Sequence, residues 1–325
     1  DHYKKATELA PDYSAAYNLL GYAYRQNVDY AKAEEAFQKY IELIPNDPNP
    51  YDSYAELLLK MGKFDESITQ YRKALEIDPN FINSHQGIAA ALMYKGNPDE
   101  AAAELQKILE KSRSDAEQRT ALFALTVVDI DSGKMDSALQ EVDKQYALGE
   151  KTKDIPAMTG DLQLKGNIML EMGKYDDAKA LFERGLKMTQ DSNLSQQIKD
   201  NAKLFHHYNL ARVALGKKDL ARAKTEAEQF RKGTEALKNP VQTRQAHQLV
   251  GIIALEEKNY DRAVSELQQA NQQNPYDLYR LCQAYQGKGD KDRAKDSCWK
   301  AANFNSLPQL NLGFVRKKAG TMGPG

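Results

Sequence analysis

Five histidines, two cysteines and several paired carboxylates are the residues of this 325-residue chain whose types could carry chemistry. Zinc hydrolysis would need a His-Glu-x-x-His run. Thiol redox or metal binding would show as Cys-x-x-Cys, and a phosphate cradle as a Gly-rich loop closed by Gly-Lys-Ser/Thr. None of these runs occurs. Of His2, His85, His206, His207 and His247, three (His85, His207 and His247) stand where the chain elsewhere repeats a packing aromatic. They read as histidines at the edge of a core rather than as ligands. Carboxylate pairs such as Asp176-Asp177 fall in short turns and read as helix N-caps. The Gly-Lys pairs at Gly62, Gly133, Gly173 and Gly216 recur at similar turns and serve them. The sequence offers no catalytic constellation, so neither enzyme activity, nor a cofactor, nor a metal is expected.

What must position any site is a period. Pro11, Pro45 and Pro79 are 34 residues apart, as are Tyr17, Tyr51 and His85, and Ala33, Ser67 and Ala101. Chemically different positions that share one period define a repeated structural unit, whose core forms between neighbours. In the first full unit Tyr17, Leu20, Gly21 and Tyr24 share one helical face, and Ala33, Phe37 and Tyr40 share another beyond a turn. Pro45 ends the second helix, because it has no N–H and pushes the preceding residue out of the helical region. The small residue that opens each second helix recurs at Ala138, Ala178, Ala223, Ala263 and Ala294, at spacings of 37, 40, 45, 40 and 31.

Tyr17, Leu20, Gly21, Tyr24, Ala33, Phe37 and Pro45 resemble the tetratricopeptide-repeat (TPR) signature, with Tyr17 where that family often carries Trp. The resemblance extends over nearly the whole chain. It implies an all-α fold, a right-handed superhelical α-solenoid of stacked helix–turn–helix units. Residues 1–13 read as the second half of a leading repeat whose partner helix would precede Asp1, and 14–306 as about eight repeats. The first helices of repeats five to seven are expected to be long, since Leu194, Ile198, Ala202 and Phe205 extend an apolar spacing upstream. Residues 307–318 read as a capping helix and 319–325 as a disordered tail. The closing stretch resembles that of some bacterial envelope TPR proteins.

Lys plus Arg (45) nearly cancel Asp plus Glu (46), and the charges are interspersed, so no basic stripe for nucleic acid is present. A mean hydropathy of -0.70 suits an array whose helices are largely exposed. No apolar run is long enough to span a bilayer. The partner is therefore expected to be a protein or peptide, with self-association as a further option, and the compartment is open between bacterial envelope or periplasm and cytoplasm.

In TPR arrays the first helices line the concave groove, one place along from the core-facing residues. Those places carry Asn18, Tyr22, Gln86, Met93, Phe123, Val127, Ile130, Asn167, Tyr208, Arg212 and Tyr279. Met93, Phe123, Val127 and Ile130 would form an exposed apolar patch suited to an extended peptide or amphipathic helix. A carboxylate clamp for chaperone C-termini is not expected, because Asn18, Tyr22, Ser53, Asn83 and Gly87 lack the cations it needs. Cys282 and Cys298 lie on the two helices of the last unit, nearly equidistant from the turn at Gly289-Asp290. Two readings stand: a disulfide, or a pair of buried thiols packing like alanine, which suits a lone pair better. The expected role is a non-enzymatic scaffold in bacterial assembly, secretion or envelope organisation. The alternative is the docking arm of a larger enzyme.

Overall fold

Apolar residues at helical spacing, broken every dozen or so positions by a turn, dictate short paired helices. The structure, a computed structural model, describes residues 2–322. Among them there are eighteen helices and no strand. After α1 (His2–Leu9), the first helices of eight successive repeats are α2 (Ser14–Gln26), α4 (Pro48–Lys60), α6 (Ile82–Tyr94), α8 (Asp115–Ser132), α10 (Ile155–Glu171), α12 (Gln196–Gly216), α14 (Pro240–Glu256) and α16 (Pro275–Lys288). Their second helices are α3 (Tyr30–Leu43), α5 (Phe64–Ile77), α7 (Pro98–Lys111), α9 (Met135–Thr152), α11 (Tyr175–Asp191), α13 (Leu220–Leu237), α15 (Tyr260–Gln269) and α17 (Lys291–Ala302), and α18 (Leu310–Met322) follows. This is an all-α solenoid of helix–turn–helix units.

The helices fall into two compact units. The first runs to Val128 and includes Phe304–Gln309; the second holds Asp129–Asn303 and the chain from Leu310. First helices have 13 residues in α2, α4 and α6, then 18, 17, 21 and 17 in α8, α10, α12 and α14. The second helices lengthen as well, from 14 residues in α3, α5 and α7 to 18, 17 and 18 in α9, α11 and α13. The lengthening predicted from the sequence is confined to the first helices of repeats five to seven, whereas α8 and the second helices α9, α11 and α13 are long as well.

Two local devices repeat. Every turn between paired helices contains one residue with left-handed backbone. It is Gly62, Gly96, Gly133, Gly173 or Gly289 in five repeats, and Val28, Lys218 or Lys258 in the others. Glycine accepts this conformation without a Cβ clash, and a β-branched residue does so at a cost. Gly216, which the sequence assigned to the turn, is instead the last residue of α12, and a Cβ there would lie 2.3 Å from the Tyr175 ring. The second device is a close contact across three of the helix pairs. A Cβ on Gly21 would meet Phe37 at 2.7 Å, one on Gly166 would meet Phe182 at 2.3 Å, and one on Gly251 would meet Leu267 at 2.6 Å. The bare backbone of one helix thus receives the bulky residue of the other, and the volume fits only while both keep their size.

Two expectations at the end of the chain change: the capping helix begins at Leu310 rather than Leu307, and it runs on past Lys318. Ala319–Met322 continue α18, and Ala319 is fully buried, because the helix packs on α16 and α17. The rest of the tail, residues 323–325, lies outside the described residues.

Candidate functional site

Within each unit the residues one place along from the core face of the first helices join into hydrogen-bonded ladders. In the first unit Tyr22 of α2 donates its hydroxyl to Glu56 of α4 at 2.9 Å and lies 3.3 Å from the Ser53 hydroxyl. Arg25 closes on the same carboxylate at 2.7 Å and stacks over the Tyr22 ring at 4.7 Å. Burial, reinforced by Glu56, pushes the Tyr22 phenol well above its usual range. Ser84 of α6 donates to Asp52 at 2.7 Å. Burial raises the Asp52 carboxyl to about 7, and Glu56 adds to the rise while Ser84 opposes it. Gln86 reaches the Thr120 carbonyl at 3.5 Å. Asn18 keeps a buried carbonyl oxygen without a hydrogen-bond partner among the described residues.

The second unit builds its ladder from amides. Gln163 of α10 and Asn209 of α12 form a reciprocal pair, with bonds of 3.0 and 2.7 Å. Arg212 donates to Asn167 at 2.7 Å and lies 5.4 Å from the centre of the Tyr208 ring. Tyr208, its phenol raised to about 12 by burial, donates to Gln248 of α14 at 2.5 Å, and Gln248 in turn donates to Asp277 of α16. Burial also raises Asp277, to about 6, against the pull of Gln248 and of the Asn271 N–H at 3.1 Å. Tyr279 accepts from Gln283 at 3.3 Å, and Arg280 stacks on Tyr276 with its guanidinium 4.9 Å from the ring centre. Beside the Gln163–Asn209 pair lies a cavity of about 370 Å³ between α10, α11 and α12. Leu181, Phe182, Leu186, Leu194, Ile198 and Phe205 give it an apolar lining, and Gly160 and Gly185 keep it open. Burial lowers the pKa of His206 on its wall.

The structure thus brings Asn167, Tyr208 and Arg212 into one ladder, and Tyr22 into the other. It closes part of the expected apolar patch. Met93 is 1% exposed, Val127 0% and Ile130 3%, so none of the three offers a surface, and Phe123 is half-buried. Ala89, Ala121 and Ala124 let the helices around Met93 and Val127 approach closely enough to enclose both in one core cluster. The sequence reading took each first helix to have one packed face. In α6 and α8 a second face packs toward the neighbouring first helix and encloses Met93 and Val127. The cavity was missed because its walls come from the extra turns of the later helices. The upstream spacing of Leu194, Ile198, Ala202 and Phe205 was its one trace.

The histidines have a common partner. His85 pairs with Glu104 at 2.5 Å, His207 with Glu226 at 2.7 Å and His247 with Glu266 at 2.8 Å, each glutamate lying 19 residues on in the second helix of the same repeat. Against the upward pull of burial, His85 and Lys107 bring the Glu104 carboxyl below its usual range. Asp176 lies in the first turn of α11 rather than at its cap, and pairs with Lys217. Caps are formed instead by Asp29, Asp154, Ser195, Asp219 and Asn239, among others. Cys282 and Cys298 are joined as a disulfide, with Cα atoms 5.2 Å apart. They occupy the places held by Gly21 and Phe37, Gly166 and Phe182, and Gly251 and Leu267, so a covalent bond replaces the usual close contact in the last repeat. Among the described residues no His, Cys, Asp or Glu cluster could hold a metal, and no helix is long and apolar enough to cross a membrane.

Comparison with known proteins accords with this geometry. Residues 55–96 match a family described as TPR repeat, and 1–48 and 162–192 match families described as tetratricopeptide repeat. No curated protein matches the chain by sequence. A tetratricopeptide repeat protein from Parabacteroides merdae is similar in structure, with a TM-score of 0.52 at 16% identity over 91% of this chain and 98% of its own. A signal transduction ATPase with a tetratricopeptide repeat sensor from Pyrococcus horikoshii gives a TM-score of 0.51 at 18% identity. That match takes in 98% of this chain and only 51% of the ATPase. Repeats, turns and helix-pair contacts point the same way: the chain is a tetratricopeptide-repeat protein, built as the family's protein-interaction scaffolds are.

Proposed function

We propose that the chain is a non-enzymatic scaffold whose second unit binds a segment of a partner protein along its amide ladder, with one large apolar side chain of that segment seated in the cavity beside Gln163 and Asn209. The cavity carries the reading. At about 370 Å³ it has the size of a ligand pocket, and its apolar wall ends at amides that can turn to a peptide main chain. Asn167, Arg212 and Tyr208 supply donors and acceptors along the same face, and Tyr279 and Gln283 continue them toward the last repeat. In the first unit Asn18, Tyr22 and Gln86 offer a shorter polar face of the same kind. An assembly or envelope role agrees with the disulfide, a bond that persists in oxidising compartments.

Selection of displayed peptides against the intact chain tests this. Peptides with a bulky apolar anchor should be recovered. Their binding should be lost in Ala202→Phe, which fills the cavity, and weakened in Arg212→Ala, with helicity unchanged in both. Binding that survives both substitutions would rule out this face.

A further inference from the structure

The stretch Phe304–Gln309 has no helix or strand, and its contacts group it with the first unit. It is held there as a ligand would be, through its main chain. Lys60, near the end of α4, donates to the Phe304 carbonyl at 2.5 Å and lies 4.1 Å from the centre of the Phe304 ring. Tyr94 at the end of α6 donates to the Ser306 carbonyl and accepts from the Ser306 N–H at 3.2 Å. Gly62 leaves room for Asn305, whose amide nitrogen would lie 3.5 Å from a Cβ there. Leu307, like Phe64, Leu75, Leu92 and Tyr94, packs against the core cluster that holds Leu59, Tyr71 and Ile88.

Side chains that read carbonyls and an N–H, an aromatic placed over a cation and an apolar notch three residues on make a recognition track for an extended peptide. The present occupant leaves one demand unmet. Lys60 is half-buried, with burial and then Arg25 working against its charge, and among the described residues its partners are a neutral carbonyl and a ring, not a carboxylate. A peptide with an acidic residue beside the aromatic would satisfy it better.

We propose that Lys60, Gly62, Phe64, Leu92 and Tyr94 form a second peptide-binding track, filled in this chain by its own Phe304–Leu307, and that its partner is an extended segment of aromatic-x-x-leucine pattern with an acidic residue next to the aromatic, which displaces the internal one. This track shares no residue with the amide ladder and stands or falls apart from it. An internal occupant lowers apparent affinity by the fraction of time that it leaves the track free.

The test uses the full chain and a fluorescein-labelled peptide with the sequence of residues 303–309, with and without Asn303→Asp. Phe304→Ala with Leu307→Ser in the chain empties the track. This double variant should bind the peptide at least about ten-fold more tightly than the unaltered chain, the acidic peptide should bind more tightly still, and adding Lys60→Met should remove that preference. A helical double variant that binds no peptide, or binds both alike with and without Lys60, would overturn the proposal. Should the double variant unfold, hydrogen exchange on the unaltered chain decides. Excess acidic peptide should speed exchange at the Ser306 amide, and an unchanged rate would equally overturn it.

Discussion

The two ladders solve one problem with different chemistry. In the first unit carboxylates meet a guanidinium, a phenol and a hydroxyl, at Glu56 with Arg25 and Tyr22 and at Asp52 with Ser84. In the second, Gln163 pairs with Asn209 and Gln248 links the Tyr208 phenol to Asp277, where the ladder's carboxylate enters. The two buried aspartates show what this difference does. Asp52 has one strong donor and is raised to about 7, whereas Asp277, with Gln248, the Asn271 N–H and Asn274 around it, is raised only to about 6. Burial pushes both up, and the number of donors sets how far. The amide ladder responds to pH only through Asp277, up to about pH 6. The carboxylate ladder responds through Asp52, up to about pH 7.

The sharpest way to break the comparison lies at Asp131 in the second unit. Its carboxylate is 2% exposed and is held by Arg316 at 2.5 Å, with Lys317 at 3.8 Å. Arg316→Leu should cost roughly 3–5 kcal/mol in urea unfolding, since it strands a buried charge, while Arg316→Leu with Asp131→Leu should recover most of that loss. Equal losses in the single and double variants would mean that packing, not charge, holds α18.

At Asp52 the comparison becomes a pH profile. The folded carboxyl keeps its proton up to about pH 7, whereas in the unfolded chain it ionises near its ordinary value of 3.8. Its contribution is therefore fully present below about pH 4, falls by about 1.4 kcal/mol per pH unit as pH rises toward 7, and is level beyond. Asp52→Asn should flatten that slope, and Asp277→Asn should flatten one that ends near pH 6. Urea midpoints measured across this range would show both, and a slope unchanged in Asp52→Asn would contradict the burial of that group.

The disulfide should set the last repeat apart. It closes a loop of 16 residues, for which its loss should cost about 3 kcal/mol. Reduction, or Cys282→Ala with Cys298→Ala, should speed hydrogen exchange in α16 and α17 and leave α2 and α3 unchanged. The smallest effect is expected at the turns. Val28→Gly should raise stability by about 1 kcal/mol, because a β-branched residue occupies a left-handed position. Lys218→Gly should gain less. A loss at Val28 would indicate that its side chain packs more than the strain costs.

Much of this was legible in the sequence, for reasons that particular residues make plain. The period of Pro11, Pro45 and Pro79 fixes the units, and stepping one place from His85 and His207 reaches Gln86 and Tyr208, which bond to the next repeat. Met93, Val127 and Ile130 misled because a periodicity reading shows which residues share a face, not how near the next helix comes. That distance depends on alanines such as Ala89 and Ala124, whose smallness acts in three dimensions. Cys282 and Cys298 read more readily as buried thiols, and the disulfide corrects that reading. Set against Gly21 with Phe37 or Gly166 with Phe182, each also 16 residues apart, they occupy a close contact across the helix pair.

Helix length holds one more consequence. α6, α10 and α12 measure 13, 17 and 21 residues, differences of four that are slightly more than one turn each, while α8 between them has 18. A four-residue insertion brings every side chain back to within about 40° of its former direction, so a repeat can grow taller without swinging its inner surface toward water. Pockets such as the one between α10, α11 and α12 can thus be raised on an existing array by whole-turn additions, whereas an insertion of two residues would turn the same wall outward.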